Sequence, residues 1–147
     1  MRGAASSSSN PSHVQGICPN SWHVPSDDEW DQLVNYVSSQ SQYWCGGNST
    51  YIGKSLSSTY GWTSASGTCS IGYSQSSNNT SGFAAPPAGD YNGSYTRFGN
   101  IAVFWSATES SSSTAYVHYL WYNGIYGFDR GQGDSKQVGF SVRCVKD

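Results

Sequence analysis

The sequence predicts an α+β domain with long irregular connections. Three observations predict it. One capped amphipathic helix stands early, strand patterns stand late, and a stretch rich in Ser, Gly, Asn and Pro runs between them from Gly61 to Gly93.

The helix lies in "PSDDEWDQLVNYV". Ser26 stands at the N-cap position and Glu29 three residues later, the pattern of a capping box. Asp27, Asp28 and Glu29 place negative charge at the positive end of the helix dipole. This accounts for the acidic trio better than a metal or catalytic role does. Trp30, Leu33, Val34 and Val37 form one apolar stripe at helical spacing. "SSQSQ" ends the helix, and "YIGKSLSS" reads as a short second one. In the irregular middle, "GFAAPPAGDYNG" reads as a turn-rich ordered segment, because Pro86 and Pro87 fix the backbone. A connection this long implies function or a fold that carries long loops.

Strands are expected at "IAVFWSAT", around "AYVHYLWY" and at "VGFSVRCV". In the last, Val138, Phe140, Val142 and Cys144 alternate with Gly139, Ser141 and Arg143, the pattern of a half-buried antiparallel strand.

Charged residues make up 11% of the chain and aromatic ones 15%, so core volume must come from Trp and Tyr more than from Leu and Ile. The seven Lys and Arg residues are scattered and the net charge is −2, which argues against a nucleic-acid partner. No apolar run is long enough for a membrane span, so no direct membrane insertion is expected. The N-terminal "MRGAASSSSNPSHVQG" lacks the apolar centre of a signal peptide. It reads as a flexible Ser-rich leader over 1–16, ahead of a domain over 17–147. Any export signal or upstream domain is expected outside this chain.

The four cysteines, Cys18, Cys45, Cys69 and Cys144, show no C-x-x-C spacing, so zinc-ribbon and thioredoxin readings are poor. Disulfides in an exported protein explain them better, and a reduced cytosolic chain with buried thiols is the alternative. Three pairings are open. The favoured one joins Cys18 to Cys144 and Cys45 to Cys69.

Four separated stretches occur in one order: "ICPNSWHVPSDDEW", "GFAAPPAGDYNG", "FWSATES" and "GFSVRCVKD". Together they closely resemble the Fibrobacter succinogenes major paralogous domain, a bacterial C-type-lectin-like module, over roughly residues 17 to 147. "GKSL" and "GW" at 61–62 fit more loosely, and Asp90 stands where an aromatic residue or arginine is expected. The resemblance implies a C-type-lectin-like fold, with two helices flanking small antiparallel sheets, paired terminal strands and long loops that present a binding surface. It supports the Cys18–Cys144 bond. It places Trp22, Val24, Pro25, Trp30, Trp105 and Phe140 in the core.

Some members of this family resemble the variable proteins of diversity-generating retroelements, which rewrite adenines in Asn codons. Between Tyr116 and Val138, only Trp121, Gln132, Lys136 and Gln137 lie outside the residues such codons reach. "YVHYLWYNGIYGFDRG" also has the composition of an antibody-like binding surface. Tyr and Trp supply large contact areas at low entropic cost, while Gly and Ser let the backbone adapt. The expected ligand-binding residues are Val117, Tyr119, Trp121, Tyr122, Asn123, Tyr126, Phe128 and Asp129, with most rings facing solvent on one side. His118 belongs to the same face. Leu120 and Tyr116 should point inward, because strand neighbours face opposite sides. The alternative is that the tyrosines cover the core.

The expected function is non-enzymatic binding by an exported, surface-displayed or secreted domain. Its ligand would be a protein or glycan at a cell or phage surface. A carbohydrate-associated module or a relative of formylglycine-generating oxidoreductases is the alternative. No cofactor or metal is expected. His13, His23 and His118 lack metal-type spacing, and His23 inside "SWHVP" reads as a packed, hydrogen-bonded histidine. No G-x-S-x-G elbow is present. The Glu-Pro-Asn and Trp-Asn-Asp signatures of calcium-dependent lectins are also absent.

Overall fold

The computed structural model describes residues 6–147. The expected α+β class is present, as helices beside small antiparallel sheets. Strand β1 (Trp22–His23) leads into helix α1 (Asp27–Ser38). The capping box forms in full: the Glu29 amide donates to Ser26 Oγ, and the Ser26 amide donates to Glu29 Oε2. Trp30 and Val37 are buried, with Leu33 and Val34 half-buried beside them. Helix α2 (Gly53–Leu56) is the short element expected in "YIGKSLSS", and all four of its residues are buried.

The irregular middle is held by local hydrogen bonds. Asn78 is buried, and its Nδ2 donates to the carbonyls of Ser58 and Ile71. The Ser58 amide bonds the Ala85 carbonyl, and the Gly99 amide bonds the Pro87 carbonyl. Strands β2 (Asp90–Tyr91) and β3 (Tyr95–Thr96) close this stretch as a small hairpin.

The main sheet is built on two long strands, β4 (Ile101–Glu109) and β5 (Thr114–Trp121). They pair antiparallel, with Val103 opposite Tyr119 and Ile101 opposite Trp121. Two short strands, β6 (Asp129–Arg130) and β7 (Asp134–Ser135), pair with the other edge of β5. Side chains alternate across the sheet. Ala102, Phe104 and Leu120 face inward, where they join Trp30, Ile52, Leu56 and Phe128 in the main core. Ile101, Val103, Trp105 and Val117 face outward, where Phe140 and Val142 pack over them.

The last segment departs from its expected form. Residues 138–145 do not make a regular antiparallel strand. Ser141 bridges Phe104 in a parallel sense, with hydrogen bonds to Val103 and Trp105. Only β8 (Val145–Lys146) is a strand there, paired antiparallel with β1. Alternation survives because Phe140 and Val142 still face the sheet while Arg143 turns away onto the Phe83 ring.

Two further expectations are corrected. Within the leader expected over 1–16, residues 1–5 lie outside the described residues, but 6–16 are tied to the domain. Ser12 Oγ donates to the Val24 carbonyl, Ser7 bonds Ala107, and Val14 is buried. Trp22 is not core. It points outward from β1 because its neighbour His23 points inward, and only one of two strand neighbours can do so. Val24, Pro25, Trp30 and Trp105 are buried as expected, and Phe140 is half-buried against Trp105.

Both favoured disulfides are formed, Cys18–Cys144 and Cys45–Cys69. The first joins residues 126 apart and the second residues 24 apart. Chain-entropy arguments give about 5 kcal/mol for the long loop and about 3.5 kcal/mol for the short one. Equilibrium denaturation of the two double-Ala variants should therefore show the larger loss for Cys18/Cys144. Equal losses would show that strain or residual structure, not loop length, governs these bonds.

Candidate ligand-binding face

Strand β5 is the frame on which the candidate face is built. Its inward side chains are Tyr116, His118 and Leu120. His118 is fully buried and stacks on Trp30 with ring centroids 5.3 Å apart. Its Nε2–H donates to Asp27 Oδ1 at 2.8 Å. Arg130, on β6, donates to both oxygens of the same carboxylate at 2.9 and 2.7 Å, and its guanidinium lies 3.8 Å from the centre of the Tyr116 ring. His118 is therefore part of the helix–sheet contact and not of the ligand face. Asp27 is likewise more than a dipole-matching charge.

The outward side chains are Val117, Tyr119 and Trp121. Val117 is buried, because Phe140, Val142 and the backbone at Gly131 cover it. A Cβ on Gly131 would lie 2.7 Å from Val117 Cγ2, so glycine lets the chain pass there without displacing Val117. Tyr119 and Trp121 lie beyond this cover and are half-exposed, with ring centroids 6.5 Å apart. Asp129 pairs opposite Tyr119 across β5–β6, which puts both side chains on this face. Burial first, then the charges of Asp129 and Asp134, raises the Tyr119 hydroxyl above its ordinary pKa.

The β2–β3 hairpin extends the face with residues that sequence reasoning missed. Arg97 stands 5.8 Å from the centre of the Trp121 ring. Asp90 accepts from Arg97 Nε at 2.8 Å and from Thr96 Oγ1 at 2.9 Å. The Arg97 bond holds the Asp90 carboxyl below its ordinary pKa. Tyr91 and Tyr95 pair at 4.9 Å, with Tyr95 85% and the neighbouring Phe98 79% exposed. The available signal was the Tyr, Arg and Phe content of "DYNGSYTRF" beside the Asn-Gly turn.

The remaining expected site residues do not join this face. Tyr122 packs on the main core, and Asn123 is exposed beside the loop of Ser70, whose Oγ donates to its carbonyl. Tyr126 is 53% exposed and sets its ring edge against Tyr51. Phe128 is only 8% exposed and contacts Trp30, Phe83 and Phe104. Phe128 is buried because Gly127 lies against Ile52, where a Cβ would come within 2.8 Å, so the chain dips into the core. Phe128→Ala should cost about 3–5 kcal/mol of folding stability, and Tyr126→Ala less than about 1 kcal/mol. Denaturant unfolding checks both values, and equal losses would overturn this division.

The two buried histidines titrate in opposite senses. His23 sits between Glu29 and Asp147, at 2.7 and 2.6 Å. Burial opposes its charge, but the two carboxylates outweigh burial and raise its pKa above 6.5. Burial dominates at His118 and lowers its pKa below 6.5, against the pull of Asp27. Stability from His23 is full below pH 6.5 and is lost as pH rises through its raised pKa. Stability from His118 is full above pH 6.5 and is lost as pH falls toward its lowered pKa. In His118→Gln, stability should therefore fall as pH rises past 6.5. In His23→Gln, it should fall as pH drops below 6.5. Urea midpoints across this range test the signs, and the same slope in both variants would refute the assignment.

Among the described residues, no group of three or more His, Cys, Asp or Glu side chains gathers at metal-binding distance, and no helix is long and apolar enough to cross a membrane. No curated protein and no solved structure matches the chain. The family model of the Fibrobacter succinogenes major domain matches residues 6–146. That match takes in almost the whole sequence, so the chain belongs to the Fibrobacter succinogenes major domain family.

Proposed function

We propose that this is an exported, non-enzymatic binding domain of C-type-lectin-like architecture, and that its ligand docks on Tyr119, Trp121, Arg97 and the Tyr91–Tyr95 hairpin. The observation that carries this reading is the position of Tyr119 and Trp121. They stand half-exposed on a central strand whose other side is the main core. Rings held on a rigid strand lose little entropy on binding. The partner is a protein or glycan at a cell or phage surface.

Paired terminal strands, a small central sheet and long loops support the lectin-like architecture. Two disulfides support export. All four cysteines are bonded, which leaves no thiol for formylglycine-type chemistry and favours the non-enzymatic reading.

Diversification of 116–138 is part of this proposal, with a limit set by burial. Tyr119, Asn123, Tyr126 and Asp129 have room to vary, whereas Val117, His118, Leu120 and Phe128 do not. A displayed library randomised at the first four should stay protease-resistant in most clones, and one randomised at the second four should not. Equal tolerance would sink this division of the stretch by burial. An imperfect genomic copy of the coding region for 116–138, differing only at adenines, would tie the face to a retroelement. Binding itself is tested on glycan and surface-protein arrays. Trp121→Ala should weaken any captured ligand by about 2 kcal/mol, roughly thirty-fold, without unfolding the domain. Undiminished binding would place the site elsewhere.

A further inference from the structure

A second surface lies apart from that face. A cleft of about 360 Å³ opens between α1, Phe83 and the end of the chain, and no residue of the 116–131 stretch lines it. Its apolar lining includes Leu33, Tyr36, Phe83 and Val145. An adjoining hollow shares these residues and adds Lys146.

One charged group in the cleft, Arg143, lacks the partner that burial normally demands. Arg97, Arg130 and Lys136 each meet a carboxylate, but among the described residues Arg143 meets none. It stacks 4.4 Å from the centre of the Phe83 ring, and only its Nη2 is engaged, by the Phe83 carbonyl. Desolvation lowers its pKa, as expected for a half-buried cation without a counter-ion. Trp30 also lines the cleft, but it is 2% exposed and its Nε1–H is sealed from solvent, so its indole reports on the cleft without touching an occupant.

The charges near the cleft favour an anion. Glu29 is the carboxylate in its lining, and both its oxygens are already occupied. Oε1 meets His23, and Oε2 accepts from the amides of Ser12 and Ser26. Arg143 and Lys146 are left as uncompensated positive charge. The volume is at the lower end of the small-molecule range.

We propose that this cleft binds a small carboxylic acid with an aromatic or branched apolar body. The carboxylate meets the Arg143 guanidinium, whose planar donors match it. The apolar body lies against Leu33, Tyr36 and Val145.

The test uses 4-phenylbutyrate as probe and 4-phenylbutanamide, its neutral isostere, as control. Proton–nitrogen NMR follows the Trp30 indole signal, assigned with Trp30→Phe. The acid should shift that signal saturably and bind about ten-fold tighter than the amide, the difference expected for a hydrogen-bonded charge. Leu33→Trp fills the cleft from the helix side. It should abolish the shift at unchanged melting temperature. Equal binding of acid and amide overturns the proposal. So does a Trp30 signal that stays still up to the probe's solubility limit, or a shift that persists in folded Leu33→Trp.

Discussion

The seating of α1 on β5 decides the layout of the rest. Asp27 is a buried carboxylate at the first turn of the helix, where the dipole favours negative charge. It accepts from His118 and Arg130 together. One helical turn on, Trp30 stacks on the same His118 ring. A buried charge is tolerated only when paired, and Arg130 supplies the opposite charge while His118 supplies a hydrogen bond. This contact fixes His118 inward. Strand parity then sends Tyr119 and Trp121 outward. The candidate face is thus set by a contact on the opposite side of the sheet.

The chain ends supply the second constraint. The Cys18–Cys144 bond, the β1–β8 pair and the Glu29–His23–Asp147 bridge all act within a few residues of one another. They anchor the last segment so that Phe140 and Val142 lie on the outer side of the sheet. That cover buries Val117 and leaves Tyr119 and Trp121 half-exposed. The extent of the exposed face therefore depends on where residues 139–142 run alongside β4.

Local chemistry was legible wherever it was sequence-near. The capping box, the apolar stripe of α1 and the two long strands all follow from spacing within a few residues. The inward placement of Leu120 follows from parity alone. What was not legible depends on distant partners. Nothing near Asp27 in the sequence points to His118, 91 residues away. His118 looked like a surface residue because its stacking partner lies on a helix. Val117 and Phe128 looked available because the covers over them, Phe140 and the Trp30–Phe83–Phe104 rings, come from other segments. The Arg97 and Tyr95 contribution was hidden because it depends on how the long middle stretch returns to the sheet.

The mixed composition of Tyr116–Gly131 follows from two roles carried by one stretch. A chain with few aliphatic residues builds its core from rings, and Trp30, Phe83, Phe104 and Phe128 meet mostly at their edges. Rings are wide and rigid, so the backbone that delivers one must come close to its neighbours. Gly127 lies against Ile52 and Gly131 against Val117, where any Cβ would force its neighbour to shift. These glycines serve close packing, not loop flexibility. The aromatic residues between them divide by position, with Phe128 in the core and Tyr119, Trp121 and Tyr126 reaching solvent. A surface built this way tolerates change only at its outward positions, because the inward ones hold the sheet to the helix.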